Sequence, residues 1–336
     1  MSIRRSGISL ERPRRRQVLA LAALTSIAAL ARVEGAAATW PDKPIRLVVP
    51  YPPAGGTDVL GRMVGQRLSE ALGVPVVIEN RAGADGSIGT QMVVREPPDG
   101  YTLLIDGTSQ AYNVAFGRTL PYEASRDLVP IVQTANQQVL LVINANHPVR
   151  DLQDLIRYAK ERPGALSYGA SSNANALPME LFKVMTGTNI VHVPYRGSGP
   201  MLNDLLGGQI PLAMSGAAAP LPHVRAGKLR VLGIGDDRRS ATLPDFPTIA
   251  EAGVPGFQTL QWSGMFAPRG TPAVIIERIN REVVAILRDP AFRERMVTAG
   301  FDPVEGDNTP EQWRALLAGE VTKWTRIASQ VGLKAD

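Results

Sequence analysis

No cysteine occurs among the 336 residues, which excludes disulfides, thiolate metal sites and a lipidated amino-terminal cysteine anchor. Histidine is nearly as scarce. His147, His192 and His223 stand far apart and form no His-Glu-x-x-His, so no metal site is assigned and zinc or iron catalysis is not expected. A Gly-x-Ser-x-Gly elbow, a phosphate-binding Gly-x-x-x-x-Gly-Lys and a helix-opening Gly-x-Gly-x-x-Gly are missing too. No catalytic residue and no cofactor follow from the sequence, and the expectation is that the chain is not an enzyme. Long apolar runs are also lacking: the fourteen residues Val18–Ala31 fall short of the roughly 20 that cross a bilayer as a helix.

The net charge of +5 is concentrated at the front of the chain. Arg4, Arg5, Arg12, Arg14, Arg15, Arg16 and Arg32 precede residue 39, against only Glu11 and Glu34. Removing residues 1–38 takes 36 basic and 31 acidic residues to 29 of each. The remainder is neutral, so the basic footprint of a nucleic-acid binder is missing and no nucleic-acid partner is expected. The front segment itself has the arginine-rich start, apolar run and small-residue Ala36-Ala37-Ala38 site of an export signal. Cleavage is expected near Ala38, giving a freely soluble monomer in the periplasm. Arg15-Arg16-Gln17-Val18-Leu19 fits a twin-arginine signal, with general secretory export as the alternative.

From Pro44 onward short apolar runs alternate with amphipathic stretches, which predicts an α/β fold built on a mainly parallel sheet. Strands are expected at 45–50, 75–78 and 101–105, with a helix capped by Thr57 or Asp58 after the first. A second set begins at Val139 and runs through strands near 166–168, 190–193, 210–214 and 229–234. After Gln258 the chain is expected to return to the first half, with helices opened by Thr271-Pro272 and Thr309-Pro310, the latter completed as a capping box by Gln312. This predicts a discontinuous first lobe, 39–138 plus 258–336, with a second lobe, 139–257, inserted in it. Trp313 and Trp324 read as packing anchors in the last helix.

Three strand-to-helix loops are rich in glycine and small polar residues: 54–58, 169–173 and 195–199. Singly, each reads as a tight turn with a helix cap. Together, in an exported two-lobed chain, they point to a cleft where backbone N–H groups at helix starts bind an anionic oxygen, for which a carboxylate is the natural guest. Asp58 reads more as a helix cap than as a ligand contact.

These loops lie inside longer signatures. Trp40-Pro41-Asp42-Lys43-Pro44-Ile45, Val49-Pro50-Tyr51-Pro52-Pro53-Ala54-Gly55-Gly56-Thr57-Asp58, Glu79-Asn80-Arg81-Ala82-Gly83-Ala84 and Pro98-Asp99-Gly100-Tyr101 come first. His192-Val193-Pro194-Tyr195-Arg196-Gly197 and Leu243-Pro244-Asp245-Phe246-Pro247-Thr248 follow in the second half. In this order the chain resembles the Bug-type receptors of tripartite tricarboxylate transporters. The resemblance implies a type II periplasmic-binding fold, two α/β lobes with a ligand cleft between them, and membrane permease subunits as partners. A sensor subunit for a membrane signalling protein is the alternative role, and a periplasmic enzyme a remoter one. Carried over residue by residue, the ligand site comprises Tyr51, Pro53, Ala54, Gly55, Gly56, Thr57 and Asp58 in the first lobe. In the second it comprises Ser171, Ser172, Asn173, Tyr195 and Arg196. The second-lobe wall departs from the family pattern at 171–175 and at Pro211, so a dicarboxylate and an aromatic or uncharged-tailed acid both remain open as ligands.

Overall fold

The run Ile45–Val49 forms the first strand, β1, and four of its five residues are buried, as a parallel strand covered on both faces requires. The structure is a computed structural model that describes residues 40–331 except 116 and 241. The expected signal segment, its cleavage site and the twin-arginine motif lie outside the described residues. The described residues from Lys43 onward belong to one compact unit.

After β1 come α1 (Gly56–Leu72), β2 (Val76–Asn80), α2 (Ser87–Val94), β3 (Thr102–Gly107) and α3 (Ser109–Ala115). The chain continues through β4 (Leu128–Asn144), α4 (Leu152–Glu161), β5 (Ser167–Ala170), α5 (Asn173–Thr186), β6 (Val191–Pro194), α6 (Ser198–Leu206), β7 (Leu212–Gly216) and β8 (Leu229–Ile234). It ends with β9 (Leu260–Pro268), α7 (Ala273–Arg288), α8 (Pro290–Thr298) and α9 (Pro310–Val331).

The strand order is β2-β1-β3-β9-β4-β7-β5-β6, with β8 also paired to β4. The long strand β4 makes this possible. Residues 128–138 run antiparallel to β9, whereas 139–144 pair with β7 and β8. The change of partner falls between Gln138 and Val139, so one strand serves two groups of strands. β9 reaches back to β3, which returns the last quarter of the chain to the first group. There α7 packs on β4 and α1, and α9 packs on α3 and β4. Trp313 and Trp324, both from α9, are fully buried beneath this group.

Local signals explain the helix ends. Thr309 and Gln312 form the expected box: the Thr309 N–H donates to Gln312 Oε1 at 3.0 Å, and the Gln312 N–H to Thr309 Oγ1 at 3.2 Å. At Gly73 the chain turns left-handed (φ 72°) and its N–H closes α1 on Ser69 O at 3.0 Å. Two expected starts differ. Thr271 does not cap α7, because its hydroxyl turns back to donate to Pro268 O at 2.8 Å and the helix opens at Ala273. Nor does Thr57 or Asp58 occupy the cap of α1, which opens at Gly56 with Gly55 as its cap.

Asp58 instead sits inside the first turn of α1, where its Oδ2 accepts from the Ala54 N–H at 2.9 Å. Asn80 Nδ2 and the Arg62 guanidinium complete its shell, the latter with two bonds of 2.9 and 3.0 Å. Burial pushes this carboxyl up, but the Arg62, Ala54 and Asn80 bonds more than offset it and hold it below the usual carboxylate range. The stability it contributes is therefore present above the unfolded carboxyl pKa and is lost as pH falls through the lower folded value. Asp58→Asn is expected to cost about 1–2 kcal/mol in urea unfolding at neutral pH and much less near pH ~3. An equal cost at both would show that charge is not what Asp58 contributes.

Candidate functional site

The ends of five strands, with the starts of α1, α3, α5 and α6, surround a polar cavity of about 90 Å³. On one side stand Tyr51, Gly55, Gly56 and Thr57 from the β1–α1 loop, with Asp106 to Ser109 from the β3–α3 turn. Opposite are Ser171 and Ser172 before α5, Gly197 and Ser198 before α6, and Ser215 and Gly216 at the end of β7. Gln137, Gln261 and Ser263, from the β4–β9 ladder, form the floor.

Among the described residues Asp106 is the one carboxylate in this wall, and it is 1% exposed. The Tyr51 hydroxyl donates to its Oδ1 at 2.8 Å, the Gly107 N–H donates to the same oxygen at 2.7 Å, and Gln110 Nε2 donates to Oδ2. Burial dominates and pushes the carboxyl up to about 6 despite these donors. Burial also pushes the Tyr51 hydroxyl far up, so it stays a donor. Just outside the lining, Asp85 is left-handed (φ 53°) and likewise raised by burial to about 6. Its two oxygens each lie 3.3 Å from the N–H of Asn173, the first residue of α5, so a carboxylate from one side of the cavity meets a helix start from the other.

These two acids set a pH dependence. Both have folded pKa values above the ordinary ~3.9, so the stability they contribute is fully present below that value and is lost as pH rises through about 6. The melting temperature of the unliganded protein is expected to fall across this window, and Asp106→Asn should flatten the slope. An unaltered slope in the variant would remove Asp106 as a source.

Across the cavity, the Ser171 and Ser198 hydroxyls meet at 3.1 Å, and Asn175 Nδ2 donates to Ser171 Oγ at 2.9 Å. Gln261 Nε2 spans from β9 to the start of α5, donating to Ala174 O at 2.8 Å and Asn175 Oδ1 at 3.0 Å. Three of the helices that start here are α1 from Gly55, α5 from Ser172 and α6 from Gly197, and in none does the side chain of the capping residue bond the helix N–H groups. Among the described residues, the lining contains no Lys, Arg or His. Backbone dipoles and neutral donors supply its attraction for anions.

Of the residues singled out from sequence, Tyr51, Gly55, Gly56, Thr57, Ser171 and Ser172 come together in the wall. Pro53, Ala54, Asp58, Asn173, Tyr195 and Arg196 are outside it. Asp58 is buried under the loop, Arg196 is exposed, and the Tyr195 hydroxyl is tied to Asp204 Oδ2 at 2.7 Å along α6. Sequence reasoning did not single out Asp106, Gln137 or Gln261. The turn Asp106-Gly107-Thr108-Ser109 offered a signal, since it repeats the strand, small-polar loop and helix pattern of the other loops. Gln137 and Gln261 offered none, because their meeting depends on the register of β4 with β9.

Two α/β groups of strands around a polar cleft, with helix starts aimed into it, define a solute-binding protein of the periplasmic type. Residues 60–333 match the family described as tripartite tricarboxylate transporter family receptor. The chain belongs to that family. BugT of Bordetella pertussis is 38% identical over 301 residues, covering 88% of this chain and 91% of BugT. The R. palustris protein Rpa4515, solved with adipate, is 38% identical with a TM-score of 0.85, covering 88% of this chain and 99% of that one. MatC (Rpa3494) from Rhodopseudomonas palustris, solved with bound malate, is 29% identical with a TM-score of 0.81 over 86% of this chain and 99% of its own. The α/β, two-lobed type II periplasmic-binding fold expected from the sequence is the fold of these neighbours.

Proposed function

We propose that this chain captures a small organic carboxylate outside the cytoplasm and presents it to the membrane permease subunits of a tripartite tricarboxylate-type transporter. The observation that carries the reading is the cavity where α1 and α6 start without side-chain caps. Free N–H groups at helix starts bind carboxylate oxygens without a cationic partner. Adipate and malate in the two solved relatives support the ligand class.

In this reading the lobes are 39–138 with 258–336, and 139–257, and the change of partner along β4 supports a hinge at Gln138–Val139. A second crossing lies in the segment that leads into β9. Residues 1–38 serve as the export signal, cleaved near Ala38, and place the mature monomer in the periplasm. The test is a thermal-shift screen of protein recovered from the periplasm against a panel of organic acids. A ligand at about 100 times its Kd adds roughly 2.7 kcal/mol of stability. No shift with any acid would refute the ligand class.

A further inference from the structure

Two glutamines stand side by side in the floor of the cavity, and they are used differently. Gln137 and Gln261 are cross-strand partners in the β4–β9 ladder, so their side chains leave the same face of the sheet. Both reach Gly216 at the end of β7, where a Cβ would stand 2.6 Å from Gln261 Oε1 and would run into Gln137 Oε1. Gln261 ties the floor to α5, since its Nε2 donates to Ala174 O and Asn175 Oδ1. Gln137 lines the cavity and is 9% exposed, yet its Nε2 has no hydrogen-bond partner. A buried N–H₂ group in a cavity wall is satisfied when an acceptor enters the cavity.

The other neighbour of the amide shows where that acceptor stands. A Cβ on Gly56 would lie 3.3 Å from both the nitrogen and the oxygen of the Gln137 carboxamide. Gly56 is the first residue of α1, and the Val59 N–H makes the first bond of that helix, to Gly55 O at 3.0 Å. The N–H groups of Gly56, Thr57 and Asp58 therefore precede the helix ladder, and Gly55 has no side chain with which to cap them. Glycine at 56 and at 216 leaves the seat in which the amide lies, with the α1 start on one side and the end of β7 on the other. An anionic oxygen drawn to the α1 start arrives beside an unpaired donor.

We propose that Gln137 is a ligand-binding residue whose Nε2 donates to the carboxylate received by the α1 start, adding a side-chain donor to the backbone N–H groups there. This rests on the carboxylate reading above. Gln137 directly precedes Gln138, where β4 changes partner, so the contact joins the bound acid to the strand that serves both groups of strands. The bound acid thereby fixes the amide between Gly56 of one group and Gly216 of the other.

Gln137→Met tests this, because methionine matches the side chain in length and carries no N–H. The probe is the acid that binds the unaltered protein most tightly in calorimetric titration, from a screen that includes malate, adipate, butyrate and benzoate. Gln137→Met should weaken that acid at least about tenfold, or about 1.4 kcal/mol. The melting temperature without acid should stay level or rise, because an apolar chain of similar shape replaces an unpaired buried amide. A glutamine with a structural role would not give a binding loss without a stability loss. Gln137→Asn keeps the amide but draws it back by one methylene, so it should weaken the acid too, and it serves if Gln137→Met does not fold. A crystal structure of the complex should place Nε2 within about 3.2 Å of a carboxylate oxygen. Unchanged affinity in either folded variant, or a complex with Nε2 turned away from the carboxylate, overturns the assignment and leaves the carboxylate reading standing. A weaker affinity that comes with a lower melting temperature in both variants marks Gln137 as structural and overturns it too. An unaltered protein that binds no acid of the screen overturns both readings.

Discussion

Trp313→Ala lowers the free energy of unfolding by about 3–5 kcal/mol, the range for deleting a large buried aromatic. The indole is 1% exposed, and its ring meets Trp262 edge-on at 5.2 Å and Phe266 at 5.6 Å between centroids. Its place is made by a glycine in the facing strand. A Cβ on Gly264 would run into the Trp313 ring and would also stand 2.7 Å from Val132 O, so β9 passes under the indole only because nothing projects there. The neighbours that would have to close the hole are rungs of the β4–β9 ladder and the first turn of α9, which the Thr309–Gln312 box holds. Such neighbours collapse little, which puts the cost at the upper end. Urea unfolding followed by far-ultraviolet circular dichroism measures it. Gly264→Ala should also destabilise, and the double variant should cost less than the sum, since the added methyl enters the emptied space. A loss below about 1 kcal/mol for Trp313→Ala would show that α9 is not anchored through this ring.

The same region shows where the sequence was readable. The last helix, its capping box and its two buried tryptophans were legible because each signal is local: a threonine three residues before a glutamine, and aromatics on one face of a helix. The parallel strands β1, β2 and β3 were legible as apolar runs between glycine- and proline-rich turns. The first part of β4 was not. Residues 133–138 read Gln-Thr-Ala-Asn-Gln-Gln, a polar stretch that looks like a loop until β9 pairs with it and gives its backbone partners. The candidate cavity divides in the same way. Loop residues such as Gly55, Gly56, Ser171 and Ser172 stood out because glycine and serine before a helix have a local meaning. Gln137 and Gln261 did not, because they become neighbours of the cavity through pairing at a distance.

The second large effect is on binding. Gly56→Val is expected to reduce affinity for the acid found by screening at least tenfold, about 1.4 kcal/mol or more, in a protein that still folds. Gly56 opens α1 with ordinary helical backbone, so valine meets no left-handed strain. The obstruction is steric and local. The first new carbon would press on the Gln137 carboxamide at 3.3 Å, and that amide, the end of a flexible side chain, is the part that gives way. The two γ-methyls would then stand beside a cavity of about 90 Å³, next to the N–H groups that receive the carboxylate. Thr57→Val separates shape from chemistry at the neighbouring residue: it removes one hydroxyl from the lining but leaves the backbone donors in place, so it should cost less. Calorimetric titration of both variants, with a melting curve for each, measures the difference. Unchanged affinity in a folded Gly56→Val protein would remove the β1–α1 loop from the binding site, and a larger loss for Thr57→Val would mean that its hydroxyl, not the helix start, holds the ligand.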